Sequence, residues 1–189
     1  KWNSIPEVHA ISQFYDHPAF LNAFTERIQS YQPEKYDHIV FTYHGLPNRH
    51  LDKNHPGESF QTCNCENMLP EFGKACYKAT CYQTTRELVS RLGLKSGQYS
   101  VSFQSRLSNN WMTPFTDKNL ISRAQQGNKN ILVAAPSFVA DCLETTVEIG
   151  WEYKKMFAEN GGENLQMVES LNDSPQWIGA ITEILNPYI

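Results

Sequence analysis

Four short runs of apolar and β-branched residues punctuate the chain: HIVFTY (38–43), YSVSFQ (99–104), ILVAAP (131–136) and LQMVES (165–170). Runs of this length and composition predict strands. Between them, apolar residues recur at helical spacing. One helix is predicted from about Ala10 to Gln29, and another from about Thr80 to Leu92, with Gly93 as a natural stop. A third follows Thr116–Asp117 and ends near Gly127, and a fourth runs from Asp141 to the Gly161–Gly162 pair. The last starts at Ser174, a capping residue followed by Pro175 in the first turn. Strands alternating with helices predict an α/β fold, a doubly wound parallel sheet of about four strands flanked by helices, in a single domain over residues 1–189. The polar stretch from about Asn48 to Lys78, rich in Cys, His, Pro and Asn, breaks this rhythm. Irregular segments of that length in compact domains usually carry a function or are disordered.

In an open parallel sheet, ligands gather beyond the carboxyl ends of the strands. The first predicted strand is followed by His44-Gly45-Leu46-Pro47, the second by Ser105-Arg106 and then Trp111, the third by Ser137-Phe138, Asp141 and Glu144. The pattern alone therefore assembles these side chains on one rim.

Composition narrows the classes. The chain has 189 residues and a net charge of -4, with its basic residues scattered, which argues against nucleic acid as the main partner. No apolar run approaches the ~18 residues of a membrane span, although peripheral membrane contact stays open. The start, KWNSIPEVHA, lacks the layout of a signal peptide and an initiator Met, so a piece of a longer protein is expected. Five cysteines are an odd number for a disulfide framework. They suit a reducing compartment, hence the cytoplasm, and point to metal ligation or free thiols.

Two constellations carry chemistry. In DCLETTVEIGWEY (141–153), Glu144, Glu148 and Glu152 fall four apart. On an α-helix each step of four drifts by ~40°, and a wider π turn would straighten the row. Like charges at this spacing repel, which a passing or resident cation would offset. The plain alternative is a capping box of Asp141 and Glu144 with solvated acids beyond it. His44, on the same rim, adds a group that exchanges protons near neutrality and can ligate borderline cations. The second constellation is TCNCENMLPEFGKACYKATCY, with Cys63, Cys65, Cys76 and Cys81 spaced C-x-C-x10-C-x4-C. Four thiolates suit a [2Fe-2S] cluster or a structural zinc ion, and free thiols are the remaining reading.

YHGLP (43–47), FQSR (103–106) followed by WMTPFTD (111–117), and PSFVADCLETTVEI (136–149) together resemble the carboxyl-terminal half of the ferrochelatase family, whose fold is that of the class II chelatases. The resemblance implies insertion of ferrous iron into a porphyrin in haem synthesis, with iron as substrate and the family's amino-terminal domain as partner across the porphyrin cleft. It implies His44 as proton acceptor and transient iron ligand, Glu144 facing it across the macrocycle, and Glu148 and Glu152 as a metal or proton path. Tyr43 and Trp111 are the residues it sets beside the porphyrin. The segment 48–80 resembles an insertion carried by some bacterial members, implying a [2Fe-2S] cluster of structural or sensing role on Cys63, Cys65, Cys76 and Cys81. Cys142 stands where some relatives have His, as a substitute ligand or a small buried thiol. A cobalt or nickel tetrapyrrole chelatase and a non-catalytic iron–sulfur sensor are the alternatives. The porphyrin's identity, oligomeric state and direction of iron entry stay open.

Overall fold

The computed structural model describes residues 7–55, 57 and 59–188; the first six residues of the leader reading lie outside the described residues. Helix α1 (Pro18–Gln29) precedes strand β1 (His38–His44), and a short helix α2 (Asn48–Asp52) opens the Cys-bearing segment. Then come α3 (Tyr77–Leu92), β2 (Tyr99–Gln104), α4 (Thr116–Gln125) and β3 (Asn130–Ala134). A ten-residue π-helix (Glu144–Tyr153) runs into α5 (Lys154–Glu159), followed by β4 (Asn164–Met167) and α6 (Pro175–Leu185). All strand pairs are parallel and the order across the sheet is β2-β1-β3-β4. The expected doubly wound α/β sheet of four strands is therefore present.

Period-two alternation divides the strands between two cores. Ile39, Phe41, Tyr43, Val101, Phe103, Leu132 and Ala134 pack with α1, α3 and α6 on one face. Val40, Ile131, Val133 and Leu165 pack with Leu120, Ala124, Ile149 and Phe157 on the other. Each fully buried Phe or Leu stabilises the fold by roughly 1.5–3 kcal/mol. The chain leaves β1 towards β2 but leaves β3 towards β4, so the strand order reverses between β1 and β3. In open sheets of this kind, ligands bind beyond the carboxyl ends of the strands at such a reversal.

Several predicted boundaries shift. The first helix begins at Pro18, not Ala10, because His17 caps it, its Nδ1 accepting from the Ala19 N–H at 3.3 Å. Helix α3 starts three residues early and ends as expected at Gly93, whose φ of 67° places it in the left-handed region. The third and fourth strands stop at Ala134 and Met167, short of the apolar runs that predicted them. Ser174 caps α6 as expected, accepting from the Trp177 N–H at 3.4 Å. No described helix is long and apolar enough to cross a membrane.

Candidate functional site

His44 is the last residue of β1, half-buried beside the strand-order reversal. Its Nδ1 lies 2.7 Å from the Gly45 carbonyl oxygen. A carbonyl only accepts, so Nδ1 carries the hydrogen and Nε2 keeps its lone pair. Gly45 sits in a tight space: a Cβ would lie 3.1 Å from the Gln104 carbonyl oxygen and 3.5 Å from the Trp111 ring, so a larger side chain would have to push its neighbours aside. The loops after β1 and β2 are stitched together by Met112 N–H to Leu46 O at 3.0 Å and Asn48 N–H to Asn110 O at 2.9 Å. This stitching sets the Trp111 ring 6.2 Å, centroid to centroid, from that of His44.

Glu144 opens the π-helix beyond β3. Its carboxyl is held below the usual range by the Cys142 side chain, by its own backbone N–H, and by the nearby charge of His44. Half-buried Cys142 precedes the π-helix, its N–H donating to Thr145 Oγ1 at 2.9 Å. Asp141 makes no capping box with Glu144. It accepts from Thr145 Oγ1 (3.1 Å), the Ser170 N–H (3.2 Å) and Asn172 Nδ2 (2.8 Å), which ties the π-helix entry to the segment after β4. Burial pushes Asp141 up, but these donors outweigh it and leave the carboxyl below its usual value.

Within the π-helix, residues bonded five apart make a turn of roughly 4.4 residues, so the acids still share a stripe while drifting opposite to an α-helix. Their surroundings differ. Glu148 is half-buried and accepts from both the N–H (2.9 Å) and hydroxyl of Ser105 and from the Tyr153 hydroxyl. Ser105 occupies the left-handed region at φ 61°, a conformation that costs a non-glycine residue free energy, and from it turns both donors to the same carboxylate. Burial, then the charge of Glu148, push the Tyr153 hydroxyl far above its ordinary value. Glu152 is exposed. Beside this row, the Arg106 guanidinium grips both oxygens of Asp117 (2.5 and 2.8 Å) and lies 4.0 Å over the Phe115 ring. Ser105 and Arg106 stand on the rim as the sequence places them; Tyr153 was not singled out, and its signal was its place five residues after Glu148, the π interval.

Tyr43 lies on the other side of β1 from His44. Strand alternation turns it to that face, where it is 1% exposed and its hydroxyl bonds Thr85 Oγ1 at 2.8 Å. There it lines a cavity of about 450 Å³ together with Phe14, Tyr77 and Cys81.

The cysteine segment gathers differently from the expected set. Cys65 and Cys76 are buried with His55, whose Nε2 lies 3.6 and 3.7 Å from their Sγ atoms. These three donor atoms all lie within 4.8 Å of one another, close enough to share a metal ion. Cys63 is half-buried beside them, its Sγ 3.1 Å from the Phe60 carbonyl oxygen. Cys81 belongs instead to the main core, beside Tyr77. Cys65 and Cys76 therefore gather with His55, with Cys63 beside them, while Cys81 packs in the main core. His55 was counted only in the composition of the segment. Its signal was a histidine eight residues before the C-x-C pair.

A family model described as Ferrochelatase matches residues 1–188. The ferrochelatase of Pseudomonas fluorescens biotype C is 42% identical over 177 residues, covering 92% of this chain and 52% of the relative. That of a Pseudomonas aeruginosa strain is 41% identical over 181 residues, covering 94% of this chain and 53% of the relative. The chain spans about half the length of the curated relatives it matches. A match along nearly its whole length, joined to the placement of His44 and Glu144 on either side of the strand-order reversal, leads to one conclusion: the chain belongs to the ferrochelatase family.

Proposed function

We propose that this chain is the carboxyl-terminal half of an enzyme that inserts ferrous iron into a porphyrin in haem synthesis, and that it carries the proton-accepting and metal-handling side chains. What supports the reading is the placement of His44 at the end of β1 and of Glu144 just beyond β3, on either side of the strand-order reversal, in a chain the ferrochelatase family matches over residues 1–188. Insertion requires two pyrrole N–H protons to leave as one dication enters, so net charge on the macrocycle is unchanged. His44 Nε2, without a hydrogen-bond partner among the described residues while Nδ1 is committed to Gly45, accepts a proton and serves as a transient iron ligand. Glu144, anionic at neutral pH, stabilises the imidazolium that results. Glu148 and Glu152 lead protons or cations along the π-helix, and Trp111 offers the porphyrin an apolar face. The partner is the other half found in the curated relatives, which meets the exposed Leu143, Val147 and Trp151. A cytoplasmic setting belongs to this reading and rests on the cysteine usage.

The family resemblance also puts forward a [2Fe-2S] cluster. Convergence of Cys65 and Cys76, with Cys63 beside them, supports a metal in the segment, whereas the burial of Cys81 in the main core counts against it as fourth ligand. No step of the insertion passes through that centre.

The test is His44→Ala in a chain that also carries the other half. Loss of iron insertion by roughly 10²–10⁴-fold is expected for removal of a general base. Insertion near the wild-type rate would remove His44 from the mechanism.

A further inference from the structure

We infer that His55, Cys65 and Cys76, joined by Cys63, form a site for a single borderline-soft divalent cation of the zinc type, in which His55 takes the place expected for Cys81. The inference does not depend on porphyrin chemistry.

The argument begins with the imidazole. His55 follows α2 and is 4% exposed, with the edge of Phe72 packed against it at 5.4 Å between centroids. Its Nδ1 lies 2.7 Å from the Leu51 carbonyl oxygen, so Nδ1 carries the hydrogen and Nε2 presents a lone pair. A metal-ligating histidine shows this pattern: one ring nitrogen donates to a carbonyl or carboxylate, which fixes the tautomer and turns the other inward. The lone pair of His55 points at two thiols.

The distances then fit a single tetrahedral ion. With bonds of about 2.3 Å to sulfur and about 2.05 Å to nitrogen, a tetrahedral zinc ion sets neighbouring S and N ligands about 3.6 Å apart. The two His55–Cys separations are 3.6 and 3.7 Å. A [2Fe-2S] cluster takes two protein ligands on each iron, so a third donor belongs to the second iron and stands off from the first pair. Three donors mutually within 4.8 Å converge on one ion.

Charge and position agree. Two thiolates balance a dication, their protons passing to solvent on binding, and a third from Cys63 leaves the site at −1. Lys78, 7% exposed, lies alongside, reaching the Phe60 carbonyl at 3.3 Å and Glu66 at 2.9 Å. Arg86 holds the same loop through the carbonyl of Glu66 at 2.9 Å. The site links the end of α2, the C-x-C turn and the start of α3. An ion there fastens a stretch that has little regular structure of its own.

The experiment uses the full chain, stripped by a chelator and reloaded anaerobically with Zn²⁺ or Co²⁺. One ion per chain is expected, with thiolate-to-cobalt charge-transfer and tetrahedral ligand-field bands. Zinc X-ray absorption should show one nitrogen with two or three sulfurs. His55→Ala should weaken Co²⁺ binding by at least about tenfold, while Cys81→Ala leaves stoichiometry and spectrum unchanged. The X-ray absorption of the unaltered chain keeps the test decisive should a variant fold poorly. Failure to retain either ion overturns the inference. So does a centre of two irons and two sulfides that survives His55→Ala and disappears in Cys81→Ala. Loss of iron insertion in His44→Ala bears on neither outcome.

Discussion

At the scale of single residues, placement at a strand end decides chemistry. His44 and His38 bound the same strand, yet they face different surroundings. His38 is 1% exposed, with Nε2 3.0 Å from Ser100 Oγ. Burial, and then the positive charge of Arg123, lower its pKa from 6.5 to about 4. An unfolded chain binds this proton near pH 6.5, which the folded chain refuses until about pH 4. The contribution of His38 to stability is therefore full above the unfolded value and declines as pH falls through that window. Urea midpoints measured from pH 7 to 4 should slope downward, and His38→Gln should flatten the slope; parallel slopes would contradict this. His44 and Glu144 were legible in the sequence because strand ends follow from the hydrophobic runs. Tyr43 lies on the opposite face of β1 from His44, because adjacent residues on a strand face opposite ways. His55 was not legible as a partner of Cys65 and Cys76, since their meeting depends on how the irregular segment folds back on α3.

At the scale of elements, the helix carrying the acids and a π turn within it were legible, but not that the π winding runs for ten residues. A spacing of four lies between the α repeat of 3.6 and the π repeat of roughly 4.4, so the acid row fits both. The contacts that separate them are tertiary: Glu148 reaches Ser105 across the sheet rim and Tyr153 five residues ahead. These bonds make Glu148 the best-fastened member of the row. Glu148→Ala should leave the part-buried Tyr153 hydroxyl and the Ser105 donors without their acceptor and cost about 1–3 kcal/mol in urea denaturation. Glu152→Ala, at an exposed position, should change stability by less than about 0.5 kcal/mol. Equal effects at the two positions would show that the Ser105 and Tyr153 bonds contribute little.

At the scale of the whole molecule, the doubly wound architecture followed from strand–helix alternation, but the surfaces it leaves open did not. Leu143, Val147 and Trp151 are 74%, 40% and 63% exposed and recur every four residues beside the acids. An apolar stripe there is costly in water and suits a second body of protein. Iron insertion by the chain alone should be undetectable, because half the length of its relatives is lacking. Supplying the other half in trans should shift the Trp151 emission to the blue, read as the difference between the wild type and Trp151→Phe. Catalysis by the chain alone, or an unshifted emission from an active mixture, would argue against that surface as the meeting face.

The three-point clasp on Glu148 has a kinetic corollary. A carboxylate so restrained cannot swing from one neighbour to the next as a ferry. On the proposed path, a charge moving along the π-helix has to be exchanged at a fixed berth, with Tyr153 and Ser105 loosening their hold at each exchange. Loosening that clasp by Ser105→Gly or Tyr153→Phe therefore alters the tempo of transit more than the capacity of the row to hold a cation.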